Sequence, residues 1–386
     1  MRSRLVLIWN MYSQNMNANN QKRNKKNKKN FILRGVSILC TIVFLVSGLC
    51  GCTAAGNGEE NLSKDQKKLR IVTTIFPQYD FVRQIAGDNV SLTMLLKPGE
   101  ETHSYEPTPQ DIIAIQNADL FIYVGGENDE WVEDILESPE MEDVKRLRLV
   151  DCVGNILAEE HVEGMKEERG HSHEDEEEEN HDEEEEENHD EEEHFLHSAE
   201  ETEEEHNEHV HTMDEHVWTS PGNAIDIVEH ITEELCSLDP EHGQAYKDNA
   251  EAYEAQLKEL DTEFRDVVEN AKNHTLLFGD RFPFRYFAAE YGLDYYAAFS
   301  GCASDTEPSA ATMAFLINKV KEEQIPVVLK MELSNDNIAN AIAEACDVPV
   351  KVFYSSHNIS AKQFEAGVTY LDLMKENVET LKEALR

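Results

Sequence analysis

Residues 159–215 carry 29 Asp and Glu against only Lys166 and Arg169, a net of -27 in a chain whose formal charge is -45. They also hold 10 of the 16 histidines. The core of the run reads GHSHEDEEEENHDEEEEENHDEEEH, with NHDEEE recurring at Asn180 and Asn188. Large apolar side chains are almost absent, and a single-sign charge run cannot offset the entropy of ordering, so a disordered, low-complexity loop is expected. Any folded domain must therefore be built from the flanks, with this segment inserted between them. The flanks are acidic overall as well. Apart from the basic run that opens the chain, no basic patch is left to neutralise phosphate, and nucleic acid is not expected as a partner.

An acidic run alone would read as a solvating loop, but the histidines add a second chemistry. Imidazole is a common ligand for zinc, copper and nickel, and carboxylate can complete a site. His171 with His173, His209 with His211, and His181 and His189 beside their carboxylates are suited to weak, exchangeable metal capture.

At the other extreme of polarity, a basic run at residues 22–34, KRNKKNKKNFILR, leads into a continuous apolar stretch at 35–49. That order is the charged and apolar part of an export signal. The stretch closes on LCGC, which resembles the bacterial lipobox and places a lipid anchor on Cys52. Residues 1–51 are accordingly expected to be the signal peptide and 52–68, which lack apolar periodicity, a tether. The competing reading is an uncut anchor crossing the membrane. Both readings put the remaining chain on the outer face of the cell membrane. Cys152, Cys236, Cys302 and Cys346 are too widely spaced to fix a disulfide pairing.

Short apolar runs alternate with helical patterns on both sides of the acidic segment. Upstream, LRIVTTIF, VSLTMLL and DLFIYVGG read as strands, separated by PQYDFVRQIAG and by a helix opening on Pro109. Downstream, SPGNAIDIVEHITEEL precedes a longer helix in which Tyr246, Ala250, Tyr253, Leu257, Leu260, Phe264 and Val267 recur at fours and threes. TLLFG, LDYYAAF, PVVLK and VPVKVFY then alternate with further helices. The expected fold is α/β: two parallel-sheet lobes joined by a long rigid helix. The first lobe takes residues 69–158, the loop 159–215, the end of the first lobe and linking helix 216–273, and the second lobe 274–386. Sheets of this type bind ligands beyond the carboxyl ends of their strands.

HSYEPTPQDI at His103, HVWTSPGNA at His216 and DPEHGQAYKDNAEAY at Asp239 resemble the zinc- and manganese-binding lipoproteins of bacterial ABC uptake systems. The likeness runs from about residue 69 to the end, interrupted by the acidic loop. It implies a metal site in the inter-lobe cleft, with His103 and His216 as ligands. It also implies a monomer that captures Zn2+ and delivers it to an ABC permease and its ATPase. The family's third ligand sits in a segment like HDAFGYFAERYG; here GDRFPFRYFAAEYG puts Arg281 at that position, and arginine does not coordinate cations. Asp280 is adjacent and binds instead, or Arg281 organises carboxylates around the site, so that Asp280 or a water completes it. The fourth position falls in YSSHN, which offers His357. Three imidazoles favour zinc over manganese. Glu307, in DTEPSA, reads instead as a capping carboxylate for the next helix. The acidic loop would then act as an antenna that ends at a ligand, His216.

Two other functions remain open on sequence alone. A secreted zinc hydrolase also needs three protein ligands, but no HExxH helix or placed general base is present, and no enzyme activity is expected. A metal buffer or adhesin would need no permease.

Overall fold

The computed structural model describes residues 68–100, 105–126, 129–165, 213–301, 303 and 307–386. The export signal, Cys52, His103 and the loop histidines 171–211 lie outside the described residues. Among the described residues, no helix is long and apolar enough to cross a membrane.

The first sheet contains β1 (Leu69–Thr73), β2 (Val90–Met94), β3 (Leu120–Tyr123) and β4 (Arg146–Arg148), in the order β2-β1-β3-β4. The second contains β5 (Thr275–Phe282), β6 (Asp294–Ser300), β7 (Val328–Lys330) and β8 (Val350–Val352), in the order β6-β5-β7-β8. Every pairing is parallel, with Thr73 opposite Met94 and Lys330 opposite Val352. In each sheet the chain steps outward once and then crosses back over its first strand. Each sheet therefore has a switch point at its carboxyl edge, where adjacent loops diverge and leave a crevice.

The helices follow from local signals. α1 (Phe76–Ala86) carries Pro77 in its first turn and ends where Gly87 takes a φ of +53°, a conformation that favours glycine. α2 (Pro109–Gln116) is opened by Thr108, whose hydroxyl accepts the Asp111 N–H while the Asp111 carboxylate accepts the Thr108 N–H. α3 (Glu130–Leu136) completes the first lobe. α4 (Pro221–Leu238) is capped by Ser220, whose Oγ accepts the Asn223 N–H. α5 (Gly243–Glu269) is the linking helix; at 27 residues it spans about 40 Å. Its buried stripe is Tyr246, Ala250, Tyr253, Leu257, Leu260, Phe264 and Val268, so the last member is Val268 and not Val267. α6 (Arg285–Tyr291), α7 (Ala310–Glu322), α8 (Asn337–Cys346), α9 (Ala361–Glu365) and α10 (Tyr370–Ala384) belong to the second lobe.

Three sequence expectations are corrected. Strand β5 runs on through Asp280 and Arg281 to Phe282, past the glycine at which TLLFG was expected to stop, with a register irregularity between Phe278 and Arg281. Ser309, not Glu307, caps α7, its Oγ accepting the Thr312 N–H, and Glu307 lies exposed. The ends of the acidic segment are ordered: Ala158 bridges Met213 antiparallel, Met165 is buried, and Glu160 pairs with Arg285 at 3.0 Å. Cys152, Cys236 and Cys346 are free thiols.

One continuous core runs through both lobes. Phe81 and Ile85 of α1, the stripe of α5, Phe278 and Phe287 of the second lobe, and Tyr370 and Met374 of α10 belong to a single buried cluster. Across the lobe boundary, Asp80 accepts the Tyr370 N–H at 2.6 Å, and Trp218 Nε1 donates to the Ser355 carbonyl at 2.8 Å. The Asn358 side chain donates to the Lys97 and Glu100 carbonyls at 2.8 and 2.9 Å. The loop that leads to His103 is thereby tied to the residue following His357.

Candidate metal centre

His216 stands at the start of the turn Val217–Thr219, between the end of the acidic segment and α4. Its approach is fixed from the second lobe: the Tyr286 hydroxyl donates to the Asp214 carbonyl at 2.9 Å and accepts the Leu157 N–H at 3.2 Å. Asp214 then folds back onto the histidine. Its Oδ1 accepts the His216 backbone N–H at 2.8 Å and lies 2.9 Å from His216 Nδ1. A carboxylate has only acceptors, so Nδ1 carries a proton, and in the neutral ring the lone pair lies on Nε2. The whole side chain is buried, and Nε2 has no hydrogen-bond partner among the described residues. A buried, unpaired imidazole nitrogen costs free energy unless a ligand uses it.

His357 follows β8 in the second lobe. Its ring lies 4.8 Å from that of His216, nearly perpendicular, and 4.7 Å from the edge-packed ring of Trp218. The third member of the group is Glu215. One ligand atom from each of Glu215, His216 and His357 lies within 4.8 Å of the others, and all three residues are buried. Tetrahedral zinc with bonds of about 2.0–2.1 Å sets its donors about 3.3 Å apart. The donors would draw together by up to about 1.5 Å around an ion. Two glycines make room for this group. A Cβ at Gly126 would stand 2.0 Å from Glu215 Oε2, and one at Gly301 would stand 3.0 Å from His216 Cε1.

The sequence-predicted residues are distributed as follows. His216 and His357 are brought together, although they lie in different lobes. Asp280 is not: its Oδ2 accepts the Met331 N–H at 2.9 Å and the Ser334 hydroxyl, and its Oδ1 accepts the Arg281 N–H at 2.9 Å. It ties β5 to the turn after β7, and burial pushes its pKa up despite those hydrogen bonds. The third residue of the clustered group is therefore Glu215, where Asp280 was expected. Sequence reasoning missed Glu215 because it is the last of 29 carboxylates in one run; its only distinguishing mark is adjacency to His216.

Electrostatics at the centre favour a cation. Burial works to lower the His216 pKa, but Asp214 and Glu215 outweigh it and hold the imidazole above the ordinary histidine value. Asp129, buried and accepting the Val124 and Gly125 N–H groups at 2.6 and 3.1 Å, is pushed up to about 7 by burial and by Glu215. A bound divalent ion would relieve both. Because His216 must lose its proton to bind, affinity should weaken as pH falls through its raised pKa, by about tenfold per unit once protonation is complete. Zinc titrations at several pH values check this: the decline should begin above pH ~6.5, the unperturbed value. A flat response down to that pH would contradict the raised pKa.

The family profile described as "Zinc-uptake complex component A periplasmic" matches residues 71–384. The chain is 33% identical over 320 residues to the zinc-binding protein AdcA of Streptococcus pyogenes, covering 82% of this chain and 56% of that one. It thus spans little more than half of that relative's length. It is 32% identical over 341 residues to the high-affinity zinc uptake system protein ZnuA of Bacillus subtilis, covering 86% of this chain and 93% of that one. Among solved structures, the Zn(II)-bound ZnuA-like domain of AdcA from Streptococcus pneumoniae matches with a TM-score of 0.61 at 28% identity, covering 82% of this chain and 99% of that one.

Proposed function

Since the chain belongs to the zinc-uptake complex component A family, we propose that it is an extracytoplasmic zinc-binding protein that captures Zn2+ in its inter-lobe cleft and delivers it to an ABC permease driven by an ATPase. The relatives named as zinc-binding and zinc-uptake proteins support this reading, as does the Zn(II)-bound neighbour. The observation that carries it is the buried group of Glu215, His216 and His357, in which Asp214 leaves His216 Nε2 open for a ligand.

The proposed donor set is His216, His357 and Glu215, with His103 supplied by the loop after β2 as the fourth. Two or three imidazoles with one carboxylate match zinc better than manganese, which takes more oxygen donors. The protein acts as a solute-binding component and not as an enzyme: Zn2+ is its cargo. Cys52 is proposed as the lipid anchor, and a monomer suffices because all the donors come from one chain.

His171, His173, His181, His189, His209 and His211 are proposed to capture zinc weakly and pass it to the cleft, since their segment ends at Glu215 and His216. Deleting residues 166–211, which spares the buried Met165, should leave the tight cleft affinity within about threefold of wild type, because no proposed cleft donor is removed. Growth of cells depending on this protein should nonetheless slow under a zinc chelator. Equal growth of the two strains would remove the antenna role, and loss of the tight site would place cleft donors inside the loop. Hydrolysis of an ester or peptide by the purified protein, abolished by chelation, would favour a zinc hydrolase instead.

A further inference from the structure

The turn after β7 carries a carboxylate that the proposed donor set does not use. Glu332 accepts the Ser355 N–H at Oε2 (2.7 Å) and the Ser355 hydroxyl at Oε1 (2.8 Å). A further backbone hydrogen bond comes from Ser356. Ser356 is fully buried with a φ of +61°, a conformation that costs a non-glycine residue about 1 kcal/mol or more and persists only where its surroundings impose it. What that turn achieves is to aim consecutive N–H groups at one half-buried carboxylate, immediately before His357. Successive N–H groups of this kind form an anion-binding concavity.

The same serine reaches the metal-site histidine. Ser355 Oγ lies 3.3 Å from His357 Nδ1 and accepts the His357 backbone N–H at 3.3 Å. A serine hydroxyl has one proton, and here it is given to Glu332. Towards the imidazole, Oγ can therefore act only as an acceptor, so Nδ1 must carry the ring proton. The tautomer left has its lone pair on Nε2. The Ser355 carbonyl, in turn, holds the indole N–H of Trp218, whose ring packs edge-on against His357.

We infer that Glu332 is a positioning residue for the metal centre: through Ser355 it fixes His357 in the Nδ1–H tautomer and presents Nε2 to the cleft. The inference rests on the reading of His357 as a zinc donor. The two histidines are then oriented differently, His216 by direct contact with Asp214 and His357 through a hydroxyl relay.

The test uses Glu332→Gln, Ser355→Ala and His357→Ala in the full chain at about pH 8, above the value of about 7 to which burial pushes the Glu332 carboxyl. Zinc affinity is read by competition with a chromophoric chelator, and the His357 tautomer of the metal-free protein by long-range 1H–15N correlation. In Glu332→Gln the side-chain amide donates to Ser355 Oγ, which frees the hydroxyl proton to turn towards Nδ1. The expected result is a 10–100-fold loss of affinity in both Glu332→Gln and Ser355→Ala, the usual size of an outer-partner effect. The protonated Nδ1 signal of His357 should also disappear in Glu332→Gln. Ser355→Ala carries the test if Glu332→Gln fails to fold. If His357→Ala loses the tight site while the other two variants bind as wild type with the tautomer unchanged, the positioning role is wrong and the donor reading stands. If His357→Ala itself binds as wild type, the donor reading fails and this inference fails with it.

Discussion

Replacing His216 by alanine is expected to lower zinc affinity by about 100- to 1,000-fold. Closed four-ligand zinc sites gather about 10–16 kcal/mol of apparent binding free energy, so one ligand accounts for about 3–4 kcal/mol. His216 should lie at the upper end of that range for two reasons visible in its surroundings. Its Nδ1 is already oriented by Asp214, so no free energy is spent in selecting the tautomer. Its removal also leaves Asp214, only 2% exposed, without the imidazole partner it accepts from. The fold should survive, because the ring's packing partners, Trp218 and His357, keep their remaining contacts. Chelator competition gives the affinity and far-UV circular dichroism the fold; an affinity within tenfold of wild type would show that the ion sits elsewhere.

Trp218→Ala should produce the largest loss of stability among substitutions near the site, about 4–6 kcal/mol. Truncating a buried tryptophan costs about 3–5 kcal/mol in lost transfer free energy and cavity. The Ser355 carbonyl, which accepts the indole N–H at 2.8 Å, also loses that partner, at about 1 kcal/mol or more. Trp218 is fully buried, and its own carbonyl accepts the Tyr370 hydroxyl at 2.7 Å, so it fastens the start of α4 to both the segment after β8 and α10. Its edge contact with His357 adds a functional consequence: the variant should bind zinc more weakly even where it remains folded. Urea denaturation of the metal-free protein measures the first effect. A loss below about 1.5 kcal/mol would mean that the lobe boundary repacks around the missing ring.

Much of the architecture was legible because it rests on periodicity. The stripe from Tyr246 to Phe264 gave the linking helix nearly to its ends, and the apolar runs gave the parallel strands that the structure contains. Strand β4 was not legible: Arg146–Arg148 is three residues long with arginine at both ends, and no periodicity can be read from it. The absence of Asp280 from the clustered group has a related cause. The apolar run stops at Gly279 but the strand does not, and successive strand residues face opposite ways, so a residue one step from an expected ligand position can point elsewhere.

The site was legible where single residues stood out and illegible where they were camouflaged. His216 and His357 stood out because HVWTSPGNA and YSSHN fall at the positions that the family resemblance marks as ligand positions. Glu215 and Asp214 were hidden among the carboxylates that precede them. Glu332 had no local signal at all, since its partners Ser355 and Ser356 are 23 and 24 positions away in sequence. Side chains that orient ligands are found by proton bookkeeping in three dimensions, not by spacing.

The most direct test of the central claim is calorimetric titration of zinc into the chain, wild type beside His357→Ala, with a competing chelator strong enough to silence the acidic loop. One equivalent retained by the wild type and lost in the variant is the predicted result. No retained equivalent in the wild type, or an equal one in both proteins, would contradict a cleft site built from His216, His357 and Glu215.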